Sequence, residues 1–71
     1  MDIRVVIKIH ELIKGERTGT PKELSNKLGL SVRTVFNYIF FMKTELNAPI
    51  IYDSQNKKYS YERECELNFK G

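Results

Sequence analysis

The sequence predicts an α+β fold in which a cluster of three helices is followed by a β-hairpin. Three observations point that way. Apolar residues recur at helical spacing in three segments, each bracketed by capping residues; two short β-rich runs flank a stretch of turn-forming residues; and 71 residues leave room for one core. Hydrophobic residues make up 41% and charged residues 30%, an ordinary globular mixture, so a single domain over 1–71 is expected. No apolar run approaches the roughly 20 residues of a bilayer span. Asp2 and Arg4 interrupt the start, where a secretory signal needs an unbroken apolar stretch, so a cytoplasmic location is expected.

The first helix is read over about 2–15. Ile3, Val6, Ile7, Ile9, Leu12 and Ile13 fall mostly three or four apart, which lines one stripe against a core, and Gly15 ends the pattern. Arg17, Thr18 and Gly19 form a connector. Thr20-Pro21-Lys22-Glu23 then joins a hydroxyl cap, a proline at the first helical position and a glutamate spaced to close a capping box, opening a helix over about 20–28. Gly29 supplies the left-handed residue that stops it, and Leu30 can tuck back into the core. Ser31 caps a third helix over about 31–46, on which Val32, Val35, Ile39, Met42 and Leu46 form the buried stripe, with Asn47 and Pro49 as its end. Ile50-Ile51-Tyr52 and Lys58-Tyr59-Ser60-Tyr61, joined by Asp53 to Lys57, read as a hairpin over about 50–61. Cys65, Leu67 and Phe69 alternate with Glu66, Asn68 and Lys70, so 62–71 is read as a short third strand or an ordered tail.

Twelve Lys and Arg against nine acids give a net charge of +3, a weak lean toward a polyanionic partner. The chemistry of catalysis is thin. Cys65 is the sole cysteine and His10 the sole histidine, so no disulfide, metal cluster or Cys-His pair is expected, and no phosphate-cradling loop or paired carboxylates stand out. Neither a cofactor nor an enzymatic activity is expected. What does stand out is two capped helices joined by a short glycine-containing turn, a helix-turn-helix from Thr20 to Leu46. Rotation about the third helix turns Arg33 and Asn37 directly away from the stripe, with Thr34 beside them and Lys43 on one flank. Arginine can pair with a guanine edge, asparagine with an adenine edge, and threonine can bond a base or touch a thymine methyl. Ser31 at the helix start suits a phosphate. Thr20 and Lys22 could hold a flanking phosphate, Asn56, Lys57 and Lys58 at the hairpin tip could touch the DNA backbone or minor groove, and Tyr38 divides between core edge and phosphate contact.

The segment GTPKELSNKLGLSVRTVFNYI resembles the helix-turn-helix of DeoR-type and WYL-associated regulators. Their shared pattern stands here as Leu24, Ser25, Leu28-Gly29-Leu30 and Ser31-Val32-Arg33-Thr34-Val35. The run LNAPIIYDSQNKKYSY is similar to the wing that follows in those families, usually Leu-Gly-x-Pro-Ile-x-Tyr-Asp. The resemblance covers nearly the whole chain and implies a winged helix-turn-helix of bacterial type that binds double-stranded DNA in transcription regulation. In those families the domain generally opens a larger regulator. Here the sequence ends shortly after the wing, so no ligand-sensing domain and no small-molecule inducer are expected, as in short stand-alone winged-helix proteins. Phe36, Phe40 and Phe41 are aromatic where the families commonly carry charge.

Other readings stand beside these. A winged helix can serve as a protein-interaction module that does not bind DNA, presenting Phe40 and Phe41 to a partner. By rotation those two rings lie off the buried stripe, so either the C-terminal strand folds over them or a homodimer buries them while reading two half-sites. Arg33 and Asn37 could be a solvated face, and Lys57 and Lys58 solubility lysines at a turn. His10 reads as a structural histidine in an apolar helix, Tyr52, Tyr59 and Tyr61 as cross-strand packing partners, and Cys65, between Glu64 and Glu66, as a small apolar strand residue.

Overall fold

The computed structural model describes residues 2–63; the expected strand or tail after Arg63, with Cys65, lies outside the described residues. Three helices, α1 (Ile3–Lys14), α2 (Pro21–Leu28) and α3 (Val32–Glu45), precede the strands β1 (Ile50–Asp53) and β2 (Lys58–Tyr61), which form a two-stranded antiparallel sheet. The α+β arrangement is the expected one, in the expected order, and is compatible with a winged helix.

Each helix starts on a side chain that satisfies an otherwise unpaired backbone donor. Asp2 accepts from the Arg4 N–H at α1, and Ser31 accepts from the Thr34 N–H at α3. At α2 the capping box is complete: Thr20 Oγ1 accepts from the Glu23 N–H at 3.2 Å, and Glu23 Oε1 accepts from the Thr20 N–H at 3.0 Å. Gly29 stops α2 in the left-handed conformation (φ +68°), and the turn returns the Leu30 N–H to the Ser25 carbonyl. The end of α1 differs from expectation by one residue. Gly15 keeps right-handed geometry and Glu16 takes the left-handed position (φ +55°), with the Arg17 N–H closing onto the Leu12 carbonyl. After α3 the left-handed residue is Asn47 (φ +54°).

One core joins all five elements. Val6, Ile9 and Ile13 of α1, Leu24 of α2, Val35, Tyr38, Ile39 and Met42 of α3, Ala48, Ile50 of β1 and Tyr59 of β2 are buried together. Ile3, placed on the buried stripe by its spacing, is exposed. In the hairpin Ile50 stands opposite Tyr61, Ile51 opposite Ser60, Tyr52 opposite Tyr59 and Asp53 opposite Lys58. Period-two alternation therefore turns Ile50, Tyr52, Tyr59 and Tyr61 to one face. The Tyr52 and Tyr59 rings meet edge to face at 5.0 Å, and the Tyr61 hydroxyl reaches His10 Nδ1 on α1 at 2.6 Å, in line with the packing role expected of the tyrosines. A buried threonine ties the hairpin to the connector between α1 and α2: Thr18 Oγ1 accepts from the Tyr59 N–H at 2.8 Å and donates to the Gly19 carbonyl.

Candidate nucleic-acid interface

The outward face of α3 follows from what its inward face buries. At about 100° per residue, Val35, Tyr38, Ile39 and Met42 spread over one side of the helix, and Arg33, Asn37, Phe40 and Thr44 fall within about 40° of a single line on the other. Arg33, Asn37, Phe40 and Thr44 are all exposed. Glu45, the sole acid of α3, is exposed about 120° round the helix from Arg33, on the flank that carries Phe41, and borders the ridge there. Lys43 is exposed on one flank, as expected. Asn37, Phe40, Phe41, Thr44 and Glu45 line a shallow surface depression.

At the start of α3, Ser31 Oγ donates to Thr34 Oγ1 at 2.9 Å while accepting from the Thr34 N–H. The serine thus spends its proton within the cap. Thr34, half-buried, accepts that bond and keeps its own hydroxyl proton for an outside acceptor. Thr34 lies about 100° round the helix from Arg33 and about 60° from Asn37, on the flank of the ridge.

The remaining expected contacts divide. Tyr38 is 8% exposed, belongs to the core, and accepts the Asp2 N–H on its hydroxyl at 3.1 Å; of its two readings the core edge holds, because helical rotation carries it toward α1. Thr20 is occupied in the capping box, whereas Lys22 is exposed beside it. In the hairpin turn Asp53 accepts the Gln55 and Asn56 N–H groups and the Asn56 side-chain amide, so Asn56 serves the turn. Those bonds hold the Asp53 carboxyl below the usual aspartate range, the Asn56 side-chain amide foremost. Lys57 closes the loop in the left-handed region (φ +53°) with its side chain exposed. Lys58 is committed elsewhere: its ammonium meets Glu16 Oε1 at 2.8 Å with the side chain only 24% exposed, tying the hairpin to the connector.

Glu23 links two of these groups. Its carboxyl is held below the ordinary glutamate value, first by the Thr20 N–H and hydroxyl of the capping box, then by the positive charges of Lys27 and Lys57. Lys22, in the first turn of α2, and Lys57, at the hairpin tip, are both exposed cations.

The phenylalanines do not behave as the expected pair. Phe41 is half-buried and packs against the core, because it sits on the flank of the ridge nearest Tyr38. Phe36 takes its place: Phe36 and Phe40 are 49% and 68% exposed, one helical turn apart. Their four-residue spacing was the signal in the sequence that paired them. Comparison of the chain with protein-family models, with curated proteins and with solved structures finds no match.

Proposed function

We propose that this chain is a winged helix-turn-helix that binds double-stranded DNA sequence-specifically, as a transcriptional regulator and without catalysis. The observation that carries the reading is the outward face of α3. A three-residue turn sets α3 against α2, the core holds Val35, Ile39 and Met42, and Arg33 and Asn37 are left outward with the half-buried Thr34 on their flank. Arg33 supplies two parallel donors for a guanine edge, and Asn37 a donor and an acceptor for an adenine edge. With the Ser31 hydroxyl and the Thr34 N–H engaged in the cap, the Val32 and Arg33 backbone N–H groups at the start of α3 would meet a phosphate at the groove rim. Lys22 and Lys57 are the cations available for flanking phosphates, and their role is positioning.

Fluorescence titration against a randomised duplex pool at several salt concentrations tests this, with Arg33→Ala as the control. Binding is expected to weaken steeply with salt and with the substitution. A folded protein that binds no duplex at low salt would defeat the reading. A second reading, a protein-interaction module, draws on the exposure of Phe36 and Phe40. It predicts binding to a protein partner that is insensitive to salt and to Arg33→Ala.

A further inference from the structure

Phe36 and Phe40 leave two aromatic rings in water on the same side of α3 as Arg33 and Asn37. A buried phenylalanine covers roughly 200 Å², so the two exposures amount to roughly 230 Å² of ring surface. A specific interface with a second protein covers about 800 Å² per partner around a core depleted of charge. Here the rings have Arg33, Asn37 and Thr44 along the same line and Lys43 on the flank, all exposed. An apolar surface this small, set among hydrogen-bonding groups, fits a partner that is itself mostly polar with isolated apolar points. The major groove of DNA has that character: base edges offer donors and acceptors, and each thymine adds one 5-methyl group.

The lengths agree as well. From Arg33 to Phe40 the helix rises about 10 Å, or about three base-pair steps of roughly 3.4 Å. Arg33 to Asn37 rises about 6 Å and Asn37 to Phe40 about 4.5 Å, so the three side chains spread over about three steps, and Phe36 lies about 60° to one side of Arg33. Resting on the DNA-binding reading above, we infer that Phe36 and Phe40 are specificity-determining residues whose rings contact thymine 5-methyl groups beside the bases bonded by Arg33 and Asn37. The chain then prefers sites with thymine at fixed offsets from the guanine and adenine it reads. The preference comes from the methyl group and not from base pairing.

Replacing thymine by deoxyuridine isolates that group, because it deletes the methyl and leaves every hydrogen bond in place. A duplex selected by the intact chain from a randomised pool would be resynthesised with deoxyuridine for thymine and titrated at fixed salt. Affinity is expected to fall roughly fourfold for each methyl contacted. In a Phe36→Ala, Phe40→Ala double variant the two duplexes should bind alike, whereas Phe36→Leu and Phe40→Leu, which keep apolar surface, should retain part of the preference. Arg33→Ala should weaken both duplexes and keep their ratio. Equal binding of the two duplexes by the intact chain, or a thymine preference that persists in the alanine double variant, overturns the inference while DNA binding stands. Absence of binding to any duplex at low salt defeats the DNA-binding reading itself and this inference with it. Light scattering that gives twice the chain mass, falling to one chain with Phe40→Ala, would assign the rings to a second copy and also overturn it. Both side chains are exposed, so the variants should keep the circular dichroism of the parent, and affinities can be compared directly.

Discussion

Arg33 and Lys57 are both exposed cations, and the proposed DNA-binding reading gives them different work. Arg33 projects from the ridge of α3 beside Asn37, so Arg33→Ala should cost about 1–3 kcal/mol of DNA affinity and relax the preference at one base pair, as read by titration against single-substitution duplexes. Lys57 sits on the turn and has no base edge to read. Lys57→Ala should weaken all duplexes alike and flatten the salt dependence by about one unit. Lys58→Ala should leave that slope unchanged, because its ammonium is already paired with Glu16. A loss of slope on replacing Lys58 would show that the pair opens on DNA. Thr18 belongs to stability alone. Thr18→Val keeps the volume but strands the buried Tyr59 N–H, at a cost of about 1–3 kcal/mol in urea unfolding.

Helix α2 is eight residues long, too short to form unaided, and depends on its ends and its packing. Thr20→Ala removes one half of the capping box and should cost about 1 kcal/mol. The two left-handed glycines that bracket α2 should differ when replaced by alanine. A Cβ on Gly29 would meet nothing within 4 Å, so only backbone strain, about 1 kcal/mol, opposes it. A Cβ on Gly19 would stand 2.9 Å from Glu23 Oε1, the atom that accepts the Thr20 N–H, so Gly19→Ala should cost the strain and part of the cap together. Equal losses at the two sites would contradict that account. The same cap sets an acid response. Glu23 is held below its unfolded value of about 4.3, so the stability it contributes is complete above that pH and is lost as pH falls through the lower folded value. Urea midpoints measured from pH 5 down to pH 3 should fall less steeply in Glu23→Gln than in the parent.

A 71-residue domain has little stability in reserve, about 3–5 kcal/mol from its core. Leu24 is fully buried and is the sole apolar side chain that α2 contributes to the fully enclosed cluster. Leu24→Ala should cost about 2–5 kcal/mol, which is comparable to the whole. Thermal unfolding of that variant should show no cooperative transition above room temperature, and DNA binding should be lost with the fold. Ridge substitutions such as Asn37→Ala should leave the transition in place. This contrast separates loss of contact from loss of structure.

The elements were legible because short-range chemistry sets them. Thr20, Pro21 and Glu23, the Gly29 stop and the Ser31 cap act within four residues, and the three-and-four spacing of Val35, Ile39 and Met42 marks the inward face of α3 and hence the outward place of Arg33 and Asn37. Other assignments depend on segments distant in the chain. Whether Tyr38 meets solvent or core depends on where α1 lies, and Phe41 packs against the core where Phe36 stays exposed. Lys58 and Lys57 are adjacent and alike in sequence, yet Glu16, 42 positions away, claims one of them. Thr18 gave no local signal at all, being buried only because the Tyr59 N–H arrives from 41 positions further on. Periodicity and capping are written in neighbouring side chains, whereas pairing across the fold follows from how the packed helices place their connectors against the hairpin, and no local pattern encodes that.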